Sequence, residues 1–192
     1  ETAARYGDFD ELICRGLGVK ADDVQVVNAV QGESLPAAGT CCGVVITGAH
    51  VMVTDNLPWS LAIEAWIPAL VQNKVPLLGI CYGHQLLGRA MGGHVDFHPA
   101  GKEAGTVALD LCPASSNDPL FHNQPKRFMA HATHAQSVLS LPPGAVLLAA
   151  SAFDSHHAFR VGSCAWGVQF HPEYTGKVMR DYVTAQVDSR TR

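Results

Sequence analysis

Pro76-Leu-Leu-Gly79-Ile-Cys81-Tyr-Gly83-His-Gln85-Leu-Leu-Gly88 decides how this chain is read. The apolar run Leu77–Ile80 suits a strand buried on both faces of a parallel sheet, and the pattern after Gly83 turns helical. Glycines two residues either side of Cys81 permit a tight strand-to-helix turn that bulkier side chains would obstruct. Such a turn presents its central residue at the carboxyl end of a sheet, where a nucleophile can stand exposed to a cleft. A thiol there also lies near a helix N-terminus, which favours the thiolate. A buried cysteine beside glycines that serve only packing fits the same pattern, since free cysteine is among the most buried residue types.

A second stretch, Ala165-Trp-Gly-Val-Gln169-Phe-His171-Pro-Glu173-Tyr174, bears on that choice. Its alternation reads as a strand ending near His171, after which Pro172 cannot donate to a ladder and turns the chain outward. His171 and Glu173 then stand two residues apart on a rigid turn, where the carboxylate can hold the imidazole in one tautomer. A surface turn with a solvated glutamate is the other reading. Taken with Cys81, the pair completes nucleophile, base and orienter, the set that covalent acyl transfer requires.

Gly79-Ile-Cys81-Tyr-Gly83-His-Gln85 together with Gln169-Phe-His171-Pro-Glu173 resembles the class I, or triad, glutamine amidotransferases, as in the glutaminase domain of GMP synthetase. Gly43-Val-Val-Ile-Thr-Gly48-Ala-His50 looks like that family's strand and glycine loop, and Thr133-His134-Ala-Gln136-Ser-Val138 occupies the place of a substrate-holding segment. The resemblance spans roughly residues 43–174. It implies an α/β fold in three layers, a mixed and mostly parallel central sheet flanked by helices, flavodoxin-like in arrangement. It implies a catalytic set of Cys81, His171 and Glu173, with oxyanion-hole amides from Gly48 and Tyr82. Gln85, His134, and the backbone at Ala135 and Gln136 would hold the amino-acid end of the substrate. Gln136 stands where GMP synthetase-like sequences carry Asp. Glutamine or a γ-glutamyl compound is the implied substrate, and the implied partner is a synthetase or acceptor subunit. A free-standing γ-glutamyl peptidase shares the triad, and a catalytically idle binding module is the third reading.

Composition narrows the class further. The chain has 192 residues, 47% of them hydrophobic, enough for one good core and a single domain. A net charge of −4 without basic runs argues against nucleic acid as a main partner. No apolar run reaches the roughly 18 residues of a membrane span, and no signal-peptide pattern opens the chain. Six cysteines without a Cys-x-x-Cys pair suit a reducing compartment, so the cytoplasm is expected. Ten histidines include His131-x-x-His134 and His156-His157. No carboxylate or cysteine completes a zinc spacing around them, so neither a metal nor another cofactor is expected. His84, in the helix after Cys81, reads as a packing residue rather than a base.

Periodicity supplies the remaining elements. Asp8, with Glu11 three residues on, opens a helix that Gly16 or Gly18 ends. Strands are expected at Val24–Val30, Val44–Thr47 and Leu77–Ile80, then at Gly105–Leu111, Phe128–Ala130, Ala145–Ala150, Ala158–Val161 and Ala165–Phe170. Helices are expected at Trp59–Val71, kinked by Pro68, at Gln85–Met91 and at Val178–Val187. The resemblance implies an apolar strand before the first helix, and none precedes Asp8. The chain is therefore expected to lack that first strand, with residues beyond Arg192 a second candidate omission.

Overall fold

The structure, a computed structural model, describes residues 6–190. Four helices carry most of the helical residues among these. They are α1 (Phe9–Leu17), α2 (Pro58–Gln72), α3 (Tyr82–Ala90) and α4 (Gly176–Arg190). The nine strands of the described residues are β1 (Val44–Ile46), β2 (Leu77–Ile80), β3 (His94–Phe97), β4 (Glu103–Leu111), β5 (Arg127–His134), β6 (Gln136–Ser140), β7 (Val146–Ala150), β8 (Ala158–Val161) and β9 (Ala165–Val168). Seven form one sheet in the order β1-β2-β9-β8-β7-β4-β5, and β3 pairs with β6 in a separate ribbon.

The sheet is mixed, as expected, but its parallel part is confined to β1, β2 and β9. The pairings from β9 outward to β5 are antiparallel. "Mostly parallel" therefore overstated the parallel share. Parallel pairing needs a crossover of about a dozen residues or more, which the short β7–β8 and β8–β9 connections do not supply.

Strand alternation sorts the core into layers. Leu77 and Ala165 face one side with Ile63, Ile67 and Leu70 of α2 and Leu86 and Leu87 of α3. Ile80 and Val168 face the other side with Ile13 of α1, Leu109, Leu148 and Phe170. Leu12 of α1 packs with Tyr174, Val178 and Met179 around α4. Helices thus flank the sheet on both faces.

Several local expectations reappear. Asp8 caps α1, accepting from Phe9 N–H at 2.8 Å, and Gly18 ends the helix in the left-handed region at φ 67°. α2 continues through Pro68 to Gln72, because the proline falls near the end, where one lost hydrogen bond is tolerated. Arg89 of α3 ties α2 to the segment before it, donating to Glu64 at 2.8 Å, to Val53 carbonyl at 2.9 Å and to Asn56 at 3.0 Å.

Val24–Val30 is not a strand. Residues 24–28 are irregular and Ala29 and Val30 enter the 3₁₀ turn Ala29–Gln31, after an earlier one at Ala21–Asp23, with Val24, Val26 and Val30 exposed. Strand propensity is realised only against a neighbour, and among the described residues β1 pairs with β2 alone. The expectation that the chain lacks a strand ahead of α1 falls on residues 1–5, outside the described residues. β3 and β6 were not foreseen: β3 is short and largely exposed, and β6 opens buried on both faces, so neither alternates cleanly. Among the described residues, no helix is long and apolar enough to cross a membrane.

The Gly79–Gly83 pair locks α3 onto the sheet. A methyl group at Gly83 would lie 2.2 Å from the Ile46 carbonyl oxygen, and one at Gly79 would lie 2.4 Å from the Gly83 oxygen. Backbone cannot yield as a side-chain tip can. Gly83→Ala should therefore cost at least about 2 kcal/mol in urea unfolding, the upper part of the range for overpacking. Unfolding within error of the parent would show that α3 rides higher on the sheet.

Candidate active site

β2 ends at Ile80, and the chain reverses into α3 through Cys81, whose backbone sits at φ 51° and ψ −97°. A non-glycine residue there costs on the order of 1–3 kcal/mol and persists only where its surroundings over-determine it. Cys81 N–H donates to Val168 carbonyl at 2.8 Å, and its carbonyl accepts from Gln85 N–H at 3.2 Å. The thiol is thus held at the end of β2 with the first turn of α3 behind it. It is buried, and its sulfur lies 3.7 Å from the Thr133 carbonyl oxygen.

His171 follows β9, the neighbour of β2, so the pairing brings the two distant motifs to one end of the sheet. Its Nδ1 donates to Glu173 Oε1 at 2.7 Å, with both side chains almost wholly buried. Nε2 makes no hydrogen bond of ordinary geometry among the described residues. Burial alone would strip the ring of its proton. The negative charge and hydrogen-bonding capacity of the nearby Cys81 sulfur, helped by Glu173, more than reverse this and raise the His171 pKa to about 10. A sulfur near enough to act electrostatically, yet loosely aligned, is the spacing common in substrate-free sites.

Gly48 borders both groups. A methyl group there would stand 3.1 Å from His171 Cε1 and 3.7 Å from Cys81 Cβ. Tyr82 is the first residue of α3, where backbone amides lack intrahelical partners. Its ring turns away from the cleft: the hydroxyl is 2.6 Å from Ser60 Oγ, and the ring packs on Trp59. Only its backbone is in a position to serve a substrate.

Cys81, Tyr82, Gln85, His134, Ala135 and Gln136 line one cleft of about 100 Å³. Their side chains divide the work. Gln85 Nε2 donates to Gln136 carbonyl at 2.7 Å and to Gln169 Oε1 at 3.1 Å. The Gln136 side chain is already engaged, accepting from Val53 N–H at 2.9 Å and donating to Thr54 Oγ1 at 2.6 Å. It pins the 3₁₀ turn Val53–Asp55 against the cleft. His134 has Nδ1 on the Gln136 carbonyl at 3.0 Å and Nε2 on Glu103 Oε2 at 2.9 Å. Both ring nitrogens are occupied, so His134 shapes the wall rather than reaching inward.

Glu103 was not singled out by the sequence. β4 pairs Glu103 opposite His134, and His157 Nε2 reaches the same carboxylate oxygen at 2.8 Å. The ligand atoms of Glu103, His134 and His157 lie within 4.8 Å of one another, close enough to suit a metal ion. Hydrogen bonds already join them, and Glu103 is the carboxylate that spacing alone did not supply. His84 is buried, and burial lowers its pKa to about 3, leaving it neutral. It packs against Phe159 and Gly167, in keeping with a packing role.

The family now follows. The family model for class-I glutamine amidotransferases matches residues 6–187, and the chain belongs to that family. It is 32% identical to a GMP synthase (glutamine-hydrolysing) of Aeropyrum pernix over 87% of this chain, although the match covers only 31% of that protein. It is 32% identical to a separate glutamine-hydrolysing GMP synthase subunit of Methanosarcina mazei, over 88% of this chain and 83% of that relative. The crystal structure of a glutamine amidotransferase from Methylobacillus flagellatus superposes with a TM-score of 0.77 at 28% identity, covering 92% of this chain and 69% of that one. The chain spans about a third or less of the full-length GMP synthases it resembles.

Glu103 gives a pH-dependent test. Burial would raise its carboxyl pKa, but the hydrogen bonds from His134 and His157 outweigh this and lower it from 4.5 to about 2. A depressed carboxylate stabilises the fold fully above its unfolded pKa, and the contribution fades as pH falls through the folded value. Glu103→Gln should cost about 1–3 kcal/mol at pH 7, as expected for disrupted buried hydrogen bonds. The gap to the parent should narrow between pH 4.5 and pH 2. Chemical denaturation across that range reads it directly; a gap independent of pH would show that the carboxylate charge is not what matters.

Proposed function

We propose that this chain hydrolyses the γ-amide of glutamine through a thioester on Cys81 and delivers the ammonia to an acceptor bound by a partner synthetase. The observation that carries the reading is His171, set between the buried Glu173 carboxylate and the Cys81 thiol, with Gly48 against both. A ring with its pKa near 10 holds a proton at neutral pH, so it is ready to act as an acid once the sulfur attacks.

The chemistry proceeds in two halves. Cys81 sulfur forms a bond to the γ-carbonyl carbon, and the carbonyl π pair moves onto oxygen. Amides of Gly48 and Tyr82 hold that oxyanion, each donor contributing on the order of 10²–10³ in rate. His171 Nε2 passes its proton to the amide nitrogen, the C–N bond breaks, and ammonia leaves. Water then gives a proton back to His171 and its oxygen to the thioester carbon. Collapse breaks the C–S bond, freeing glutamate and restoring the starting charges on Cys81 and His171. Glu173 keeps the ring oriented throughout.

Relatives that are glutamine-hydrolysing subunits favour glutamine over γ-glutamyl peptides. The partner is supported by relatives that are separate subunits of GMP synthase, and the absence of pairing among the six cysteines favours the cytoplasm. In this reading the chain forms a single glutaminase domain, and its hydrolysis alone is slow because free ammonia would waste glutamine.

Purified protein should release ammonia from glutamine, and a diazo-ketone glutamine analogue should label Cys81 alone among the six cysteines. Cys81→Ala should lower ammonia release by about 10⁴ or more, as loss of a nucleophile does in comparable triads. Addition of the synthetase partner should raise the rate of the parent chain. Rapid cleavage of γ-glutamyl peptides with little action on glutamine would establish the peptidase instead.

A further inference from the structure

The turn after β9 does more than present His171 and Glu173. Pro172 occupies its second position, and Tyr174 N–H closes it on the His171 carbonyl at 3.3 Å. The closed turn folds the Tyr174 ring back over the imidazole, with centroids 4.2 Å apart and planes only 11° from parallel. No step of the chemistry above uses this ring.

Tyr174 is itself held from behind. Phe9 of α1 stacks on it at 6.5 Å, and Tyr182 of α4 packs at 6.3 Å. Those two rings also grip His50, at 5.8 Å from Phe9 and 6.0 Å from Tyr182. His50 lies two residues beyond Gly48. One aromatic cluster therefore touches the ring of His171 and the loop that carries Gly48. The bond from Nδ1 to Glu173 fixes one atom of the imidazole, and Gly48 lies along its Cε1–Nδ1 edge, so neither contact by itself sets the tilt of the ring. A flat ring on one face removes that freedom.

We propose that Tyr174 is a positioning residue whose ring, backed by Phe9 and Tyr182, sets the plane of His171, while His50 ties the Gly48 loop to the same cluster. The inference rests on the Cys81, His171 and Glu173 reading. The phenol acts as a surface and not as an acid: burial, aided by the Glu173 charge, pushes its pKa above the ordinary tyrosine value. An imidazolium over the face of a phenol is a favourable cation–π pair, so the stack also favours the protonated base.

The test compares Tyr174→Phe, which keeps the ring, with Tyr174→Leu, which keeps apolar bulk but removes it. Glutamine kinetics are read beside the rate of Cys81 alkylation by iodoacetamide between about pH 6 and 9, a window that brackets the ordinary thiol pKa. Tyr174→Phe should stay within about twofold of the parent in both. Tyr174→Leu should lose about 10² in kcat, the scale of a misplaced catalytic group, with KM within about threefold because Tyr174 does not line the substrate cleft. Its alkylation rate should fall about threefold or more below that of the parent, because an imidazole no longer held in plane is misplaced against the sulfur. Parent-like kcat and alkylation in Tyr174→Leu, or equal losses in both variants, would overturn the proposal.

Alkylation needs no glutamine, so it separates this proposal from the glutaminase reading. A parent that releases no ammonia removes that reading, while a changed alkylation profile in Tyr174→Leu still supports the stack and an unchanged one rejects it. If thermal melting shows Tyr174→Leu unfolded, Phe9→Leu takes its place, since it removes only the backing ring. Its kcat should fall by about threefold or more, in the same direction as direct loss of the ring. Unchanged kcat and alkylation in Phe9→Leu would overturn the proposal equally.

Discussion

The close approach of α3 to the sheet sets the conditions for everything at the site. Gly79 of β2 pairs opposite Gly167 of β9, and both lie beneath the first turn of α3. A methyl group at Gly167 would stand 2.7 Å from His84 Nδ1, and one at Gly83 would strike β1. With side chains missing at these points, the helix axis descends until its N-terminus meets the strand end. Cys81 must bridge that junction, which forces its backbone to φ 51°. The strain at the candidate nucleophile is thus a consequence of packing between elements that never touch a substrate.

Charge is arranged around the same junction by burial. His171 and Glu173 are both removed from water, so each proton they share is governed by neighbours rather than solvent. The Glu103, His134 and His157 cluster lies behind the cleft wall and gives His134 a fixed orientation. Gln136, held by Val53 and Thr54, joins that wall to the segment ahead of α2. The cleft is therefore bounded by groups whose polar atoms are largely committed to one another. The side chains of His134 and Gln136 hold its shape, which leaves the backbone at Ala135 and Gln136 as the part of this segment offered to a substrate.

The turn at Pro172 brings two groups to the imidazole, the carboxylate at its Nδ1 edge and the phenol on its face, both within three residues of His171. Helices α1 and α4 then close over that turn, with Phe9 and Tyr182 as the contact. An arrangement of this kind makes α1 and α4 part of the site's support, although neither contributes a strand to the sheet.

Much of this was legible in the sequence. Leu77–Ile80 and Ala158–Val161 coincide with observed strands because their apolar runs are bounded by clear punctuation. Cys81, His171 and Glu173 could be singled out because glycine and proline mark the turns on which they stand. Val24–Val30 misled because a β-prone composition says nothing of whether a neighbour is present. Glu103 carried no signal, since it meets His134 and His157 across 31 and 54 residues. The stacking of Tyr174 on His171 was likewise silent: sequence places it three residues on, and only a closed turn folds one ring over the other. Local chemistry and turn geometry belong to short stretches and can be read there. Register, ring stacking and the state of buried charges depend on which strands become neighbours, and tertiary structure alone decides that.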